Sequence, residues 1–114
     1  QVKRLFSAIL AWEPTARYTA HFHDTYGLGM ANTYAAWEAG ARCFETSFAG
    51  LGGCPFTKVA AGNVATEDLV HGLHREGLRP DVNLASLVDI AQAVAHFFGR
   101  EMPGRVHHAG ILGY

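Results

Sequence analysis

Two histidines separated by a single residue lie at the end of a predicted strand. His21 and His23 belong to the segment His-Phe-His-Asp, and the strand is predicted over Arg17 to His23. Because residues two apart on a strand point to the same side, both imidazoles face one site. This arrangement suits a metal ion, with an Asp or a backbone group orienting the rings from the side away from the metal. A pair of histidines hydrogen-bonded inside a polar interior is the alternative interpretation.

A glycine-rich loop carries a cysteine. Residues 49–55 read Ala-Gly-Leu-Gly-Gly-Cys-Pro, inside a loop predicted from Ala49 to Ala65. Loops of this length in compact domains are usually functional, and glycines let the backbone turn sharply around a ligand. Cys54 could act as an acid or a base, since a thiol has an ordinary pKa of about 8.5 that positive charge lowers. The alternative is a structural turn with an incidental cysteine.

Asn63 stands just ahead of a predicted helix, in the segment Gly-Asn-Val-Ala-Thr-Glu-Asp. Its side-chain carbonyl oxygen could bind a metal, and the alternative is a plain turn and helix cap. Thr66 is a good candidate for the N-cap of this helix. Glu67 and Asp68 would then lie in the first turn, where negative charge complements the helix dipole.

A glycine pattern after the first strand imitates a dinucleotide-binding turn. Gly27 and Gly29 precede a helix, and Glu45 lies near the end of the next strand. However, Asn32 stands where the third glycine of such a turn is needed. The pattern therefore does not predict a dinucleotide site.

Alternating helices and strands must position these residues. The predicted elements are a helix over 2–12, a strand over 17–23, a helix over 30–39, a strand over 42–48, a helix from Thr66 to Gly77 and a helix over 84–98 capped by Asn83 and Gly99, followed by an irregular tail over 100–114. Such alternation predicts βαβ units with a parallel sheet. Two parallel strands do not make a stable covered sheet. The chain is therefore expected to belong to a larger barrel or sheet, or to borrow strands from another chain.

Composition excludes several classes of protein. The 114 residues are 49% hydrophobic and 17% charged, with a net charge of −1, which is typical of a globular domain. The sequence has no run of Lys or Arg that would predict nucleic-acid or membrane-surface binding, and no apolar stretch approaches a membrane span of about 20 residues. No signal peptide is visible, although the chain starts at Gln1 without Met and a leader could lie upstream. Two cysteines, Cys43 and Cys54, fit a reducing, cytoplasmic setting, although their pairing and a mitochondrial location stay open.

Most other histidines are expected to be structural or solvated. Those on predicted helices are interpreted as surface residues and those near the end as part of the tail, and they are His71, His74, His96, His107 and His108.

Taken together, the three motifs resemble the 3-hydroxy-3-methylglutaryl-CoA lyase family. The motifs are residues 21–27, 49–55 and 62–69, and the resemblance runs from about residue 18 to about residue 98. It implies an α/β fold, namely the C-terminal portion of a (β/α)8 TIM barrel with its last two βα units and C-terminal helices. The whole of residues 1–114 would then be one partial domain.

The resemblance also implies a site and a reaction. A divalent cation, Mg²⁺ or Mn²⁺, would be held by His21, His23 and Asn63, and Cys54 would be the catalytic acid/base. The family's further ligand is an Asp in an Arg-Asp pair on the first strand, which Asp24 and Arg42 do not match. The implied substrate is an acyl-CoA with a β-hydroxyl, cleaved to acetyl-CoA and a ketone, with His21 a candidate base. The implied partners are a second copy or the remainder of the barrel.

Other functions share part of this pattern. A citramalyl-CoA lyase would show all three motifs, whereas a synthase such as isopropylmalate synthase resembles the histidine segment but not the cysteine loop. A detached, non-catalytic fragment that folds by oligomerising is a further alternative.

Overall fold

Helices and strands alternate along the chain as the sequence predicts. The computed structural model describes residues 1–53 and 62–113. Its elements in chain order are α1 (Val2–Trp12), β1 (Thr19–His21), α2 (Gly29–Glu38), β2 (Cys43–Glu45), α3 (Thr66–Arg75), α4 (Leu84–Phe98) and α5 (Val106–Ala109). A short 3-10 helix, Phe48–Gly50, follows β2. Within the described ranges, no helix has the length and apolar character needed to cross a bilayer.

β1 and β2 form a two-stranded parallel sheet, which confirms the predicted topology. The pairs in register are Thr19–Cys43, Ala20–Phe44 and His21–Glu45. Ala20 is buried with Phe22 and Phe44 packed against its cluster, whereas Thr19 and His21 lie on the exposed side. The predicted alternation along the first strand is therefore confirmed, and it leaves the histidine side open.

Both strands are three residues long, shorter than the predicted ranges 17–23 and 42–48. Beyond the paired residues the chain makes isolated bridges, from His23 to Asn63 and from Ser47 to Ala65. A ladder extends only where a neighbouring segment supplies partners for the backbone groups. Within residues 1–53 and 62–113, the outer edges of β1 and β2 face no further strand. The alternating pattern predicts the positions of the two strands correctly, but it does not predict the length of the paired segments.

Within the described residues, most of the buried apolar side chains form three small clusters. The first joins α1 and α2 to the sheet, and its buried members are Ala20, Ala36 and Ala41. The second lies among α3, α4 and α5, with Val70, Leu84, Val88 and Val106 buried. The third lies against the 3-10 helix, with Ala49, Ala91 and Met102 buried. By contrast, Trp12 and Phe97 are 85% and 82% exposed. Large exposed aromatic surface and open strand edges are what a segment of a larger barrel would show.

The helix boundaries follow the predicted stop signals with one correction. At α4 the side chain of Asn83 accepts a hydrogen bond from Ser86 N at 3.0 Å, and Gly99 takes the left-handed conformation with φ of 58°. The expected N-cap role of Thr66 is wrong. Ala65 is the N-cap of α3, and the Thr66 hydroxyl instead lies 2.9 Å from that of Thr46. The Thr66 side chain therefore connects the start of α3 to the segment that follows β2.

The segment predicted as an irregular tail contains one short helix, α5, which the sequence analysis did not predict. The carboxylate of Asp68 accepts hydrogen bonds from the backbone N–H groups of Arg105 and Val106, and these begin α5. His107, expected in an unstructured tail, is buried. His71 is half-buried rather than solvated. The hydrogen bonds at the start of this helix come from a side chain 38 positions away, so local periodicity carries no signal for it.

Candidate functional site

The two histidine rings converge as the strand pattern predicts. Nε2 of His21 lies 3.1 Å from Nε2 of His23, with the ring centroids 5.2 Å apart. Two neighbouring ligands of an octahedral cation, each at about 2.1 Å from it, would stand about 3 Å apart. The observed separation of the two nitrogens therefore suits a shared ion as well as it suits a hydrogen bond between rings.

Asn63 is brought beside His23 by backbone pairing. The two residues form an isolated antiparallel bridge, flanked by hydrogen bonds from Asp24 N to Gly62 O at 3.0 Å and from Val64 N to Phe22 O at 3.1 Å. Antiparallel bridge partners place their side chains on the same face of the pair. The structure therefore brings together the three residues that the sequence singles out for a metal.

The amide of Asn63 is fixed, and its oxygen lacks a partner in the part of the chain described here. Nδ2 donates to Leu51 O at 3.0 Å, whereas Oδ1 is buried and accepts no hydrogen bond from residues 1–53 or 62–113. Leaving a buried acceptor unsatisfied costs about 1–3 kcal/mol. Two imidazole nitrogens and one such amide oxygen form a donor set that fits a divalent cation.

Glu45 is a site residue that sequence reasoning missed. It pairs in register with His21 across the sheet, and its Oε2 lies 3.3 Å from His21 Nδ1. A carboxylate behind a metal-binding imidazole fixes the tautomer and turns the other nitrogen toward the ion. Here the other nitrogen is the one that faces His23. The signal that could have found Glu45 is its place opposite His21 once the two strands are aligned in parallel.

Asp24, the Asp that follows the two histidines, binds the start of α2 and makes no hydrogen bond to either ring within the described residues. Its Oδ1 accepts a hydrogen bond from Gly29 N at 2.6 Å at the start of α2. A Cβ on Gly29 would lie 2.8 Å from that oxygen. The carboxylate thus occupies the helix N-terminus where a dinucleotide phosphate would sit, which agrees with the rejection of that pattern.

The glycine loop begins in contact with Asn63. Leu51 O accepts hydrogen bonds from both the Ser47 hydroxyl and Asn63 Nδ2. Gly52 has a φ of 106°, and a Cβ there would lie 2.7 Å from Asn63 Nδ2. Cys54, the candidate acid/base, lies outside the described residues. Cys43 is a free thiol.

The site as a whole contains three candidate ligands. Within the described ranges, no group of three or more His, Cys, Asp or Glu side chains is arranged to hold a metal. Two histidines and an asparagine supply the donors instead, and the remaining positions of a six-coordinate ion would be filled by water, substrate or residues outside this segment.

A cavity of about 750 Å³ borders this end of the sheet. Asp24 lines it on the side of the histidine strand, and the segment after α4 lines the other side. Its lining carries two guanidinium groups, those of Arg100 and Arg105, and two carboxylates, those of Asp24 and Glu101. The guanidinium groups are the part of this lining that could bind a phosphate.

Gly62→Ala is expected to disrupt the site through the backbone. A Cβ at Gly62 would lie 1.5 Å from Gly50 O, a backbone atom that cannot turn away. We expect the free energy of unfolding to fall by about 3 kcal/mol or more. Thermal unfolding followed by circular dichroism measures the loss. Gly113→Ala, whose added Cβ meets no atom within 4 Å, is the matched control and should leave the melting temperature unchanged. An unchanged melting temperature for Gly62→Ala would contradict the close contact between the backbones of Gly62 and Gly50.

Known proteins match nearly the whole of this chain. The HMGL-like family profile matches residues 1–94. The chain is 40% identical over 107 residues to the 3-hydroxy-3-isohexenylglutaryl-CoA/hydroxy-methylglutaryl-CoA lyase of Pseudomonas aeruginosa, covering 94% of this chain and 36% of that protein. It is 39% identical over 110 residues to the (R)-citramalyl-CoA lyase of Chloroflexus aurantiacus, covering 96% of this chain and 35% of that protein.

Solved structures agree with these relatives. An HMG-CoA lyase from Acinetobacter baumannii, in complex with coenzyme A and 3-methylmalate, matches with a TM-score of 0.89 and 40% identity over 96% of this chain and 36% of that one. The Bacillus subtilis HMG-CoA lyase matches with a TM-score of 0.89 and 36% identity, covering 96% of this chain and 37% of that one. The chain spans about a third of the length of the relatives it matches. It belongs to the HMGL-like family, and its fold is part of that family's (β/α)8 barrel.

Proposed function

We propose that a full-length polypeptide carrying this segment is a divalent-metal-dependent carbon–carbon lyase acting on a 3-hydroxyacyl-CoA. The preferred substrate in this proposal is 3-hydroxy-3-methylglutaryl-CoA, cleaved to acetyl-CoA and acetoacetate, in line with the names of the relatives. The observation that carries the proposal is the 3.1 Å approach of the Nε2 atoms of His21 and His23, with Asn63 bridged to His23 and its Oδ1 buried without a partner in the described residues.

These three residues would hold Mg²⁺ or Mn²⁺. When bound, the cation supplies Lewis-acid polarisation of the substrate oxygens and lowers the pKa of the substrate hydroxyl. Glu45 supports the site by holding His21, and Leu51 O supports it by holding the amide of Asn63. The resemblance implies a further Asp ligand from a strand outside this segment.

The chain's own chemical work is proton transfer. Cleavage requires one proton to leave the substrate hydroxyl and another to reach the carbon of the departing acetyl-CoA enolate. The resemblance assigns the second transfer to Cys54. His21 is the candidate base for the first, but its Nδ1 faces Glu45 and its Nε2 faces His23. The ligand and base roles of His21 therefore compete for the same nitrogen, Nε2.

The cavity beside Asp24 is proposed to receive the CoA portion of the substrate. CoA carries phosphate groups, and Arg guanidinium groups recognise phosphate through paired hydrogen bonds. Arg100 and Arg105 line this cavity, and the backbone of Arg105 is anchored by Asp68. That anchor fixes the backbone position from which the exposed Arg105 side chain extends.

Arg105→Ala is expected to raise KM for the acyl-CoA substrate about fivefold with little change in kcat. One exposed charge contact contributes on the order of 1 kcal/mol, and the contact persists from ground state to transition state. Steady-state kinetics at several ionic strengths measures it, because added salt should shrink the difference. Arg4→Ala, on the exposed side of α1, is the charge-matched control. An unaltered KM for Arg105→Ala would contradict the proposal that this cavity binds the CoA portion of the substrate.

Product analysis tests the proposed function directly. The full-length polypeptide is incubated with Mg²⁺ or Mn²⁺ and either 3-hydroxy-3-methylglutaryl-CoA or citramalyl-CoA, and acetyl-CoA release is followed by chromatography. Acetoacetate as the second product of the first substrate supports the proposal. No acetyl-CoA from either substrate, with a protein of native mass and cooperative unfolding, would overturn it in favour of a non-catalytic segment.

A citramalyl-CoA lyase is the second candidate. It is favoured by the 39% identity to the enzyme from Chloroflexus aurantiacus, which equals that to the human mitochondrial hydroxymethylglutaryl-CoA lyase. Citramalyl-CoA carries the same β-hydroxyl and would yield pyruvate instead of acetoacetate. The ratio of kcat/KM for the two substrates separates the candidates.

A further inference from the structure

A fully buried carboxylate contacts the start of the glycine loop at Ala49. Glu67, in the first turn of α3, has 0% exposure and is the largest side chain that is completely enclosed within the described ranges. Its expected role was a favourable charge at a helix N-terminus. A buried carboxylate is expensive unless hydrogen bonds satisfy it, so its partners show what it is for.

The first partner of Glu67 comes from the C-terminal helix. His107 Nδ1 lies 3.1 Å from Glu67 Oε1, and the two side chains are 2% and 0% exposed. Within the described residues, Nε2 of His107 is buried without a partner. An unpaired buried lone pair costs less than an unpaired N–H, so we assign the proton to Nδ1, which donates to the carboxylate.

The second partner is the backbone at the start of the glycine loop. Ala49 N donates to Glu67 Oε2 at 3.1 Å, and Ala49 O accepts from Gly104 N at 3.0 Å. Both backbone groups of this residue are thus held by α3 and the C-terminal segment. Ala49 has a φ of 56°, a left-handed conformation that costs a residue with a Cβ about 1–2 kcal/mol. Its hydrogen bonds hold it there.

The backbone is closely packed around the contacts of Glu67 with His107 and Ala49. A Cβ on Gly104 would lie 2.5 Å from Glu67 Oε1, and one on Gly50 would lie 3.0 Å from Pro103 and 3.1 Å from Asn63 O. From Ala49 the chain passes through Gly50 to Leu51, whose carbonyl fixes the amide of Asn63. A continuous series of contacts therefore runs from His107 to the amide that presents Oδ1.

We propose that Glu67 and His107 are positioning residues that set the base of the glycine loop and, through Leu51 O, the orientation of the Asn63 amide. This inference rests on the proposed function of that amide as a ligand. Neither residue touches a candidate ligand atom in the described contacts. The C-terminal helix is thereby part of the site's support and not an appendage to the barrel.

Two replacements of His107 in the full-length polypeptide test the proposal. His107→Leu fills the volume but removes the donor, and His107→Asn places an amide N–H where Nδ1 stands. We expect His107→Leu to raise the Kd for Mn²⁺ about tenfold, the scale for residues that orient a ligand, and to speed hydrogen exchange of the Ala49 amide. His107→Asn should return both to within about threefold of wild type. Electron spin resonance measures Mn²⁺, and His96→Ala on the exposed face of α4 is the control.

The outcomes separate positioning from mere stabilisation. A lower melting temperature for His107→Leu with unchanged Mn²⁺ affinity and unchanged Ala49 exchange would overturn the proposal. If that variant does not fold, hydrogen exchange in the wild-type protein tests the proposal instead. Its Ala49 amide must exchange as slowly as the amides of α4, and exchange at the rate of an open loop refutes the anchor. Because neither readout requires turnover, absence of lyase activity in wild type would defeat the proposed function alone.

Discussion

Replacing His23 with alanine in the full-length polypeptide is expected to weaken Mn²⁺ binding about a hundredfold or more. Changes to groups that merely orient a metal ligand cost about 10–100-fold, so loss of a ligand should reach at least the upper end of that range. His23 is central because it contacts both partners, with its Nε2 3.1 Å from that of His21 and its backbone bridged to Asn63. Turnover should fall together with occupancy at limiting metal.

Electron spin resonance of free Mn²⁺ measures this loss without requiring catalysis. His74→Ala is a suitable control, since it removes an imidazole from α3 whose Nε2 contacts Arg79 O and not the site. A change of less than about threefold in Kd for His23→Ala would refute its role as a ligand. The His21–His23 contact would then be a hydrogen bond within a polar interior.

The alternation of side chains in the first strand was sufficient to place His21 and His23 together. Period two is a local property of the backbone, and burial of Ala20 against Phe44 fixes which side the histidines take. Asn63 was found from its motif and not from geometry. Its arrival beside His23 depends on a bridge across 40 residues, which no local pattern encodes.

The supporting residues escaped prediction for the same reason. Glu45 acquires its role from strand register, and Glu67 acquires its role from a histidine 40 positions later in the chain. Judged locally, Glu67 and Asp68 fit a helix N-terminus, and that reading is compatible with the structure but incomplete. The Asp68 carboxylate accepts hydrogen bonds at the start of α5, and the Glu67 carboxylate accepts one from Ala49 N at the start of the glycine loop. Acidic residues in a first helical turn therefore deserve a second interpretation wherever a glycine-rich loop precedes them.

Cys54→Ser is expected to lower turnover about a hundredfold or more while Mn²⁺ binding stays unchanged. General acid catalysis contributes about 10²–10⁴ in rate, and a serine hydroxyl is a far weaker acid than a thiol at neutral pH. The substitution changes one atom, so folding should be preserved. In this proposal Cys54 delivers the proton to the enolate and does not hold the cation, so turnover and metal affinity should separate.

Cys43→Ser provides the matched control for that experiment. Cys43 begins β2 and its Sγ accepts a hydrogen bond from Arg17 at 3.3 Å, at the end of the strand opposite to the glycine loop. In (β/α)8 barrels catalytic groups gather at the carboxyl ends of the strands, so a thiol at the amino end should not affect turnover. If Cys54→Ser and Cys43→Ser retain equal activity, the proton must come from a group outside the glycine loop. The loop's contact with Asn63 would then be its contribution to the reaction.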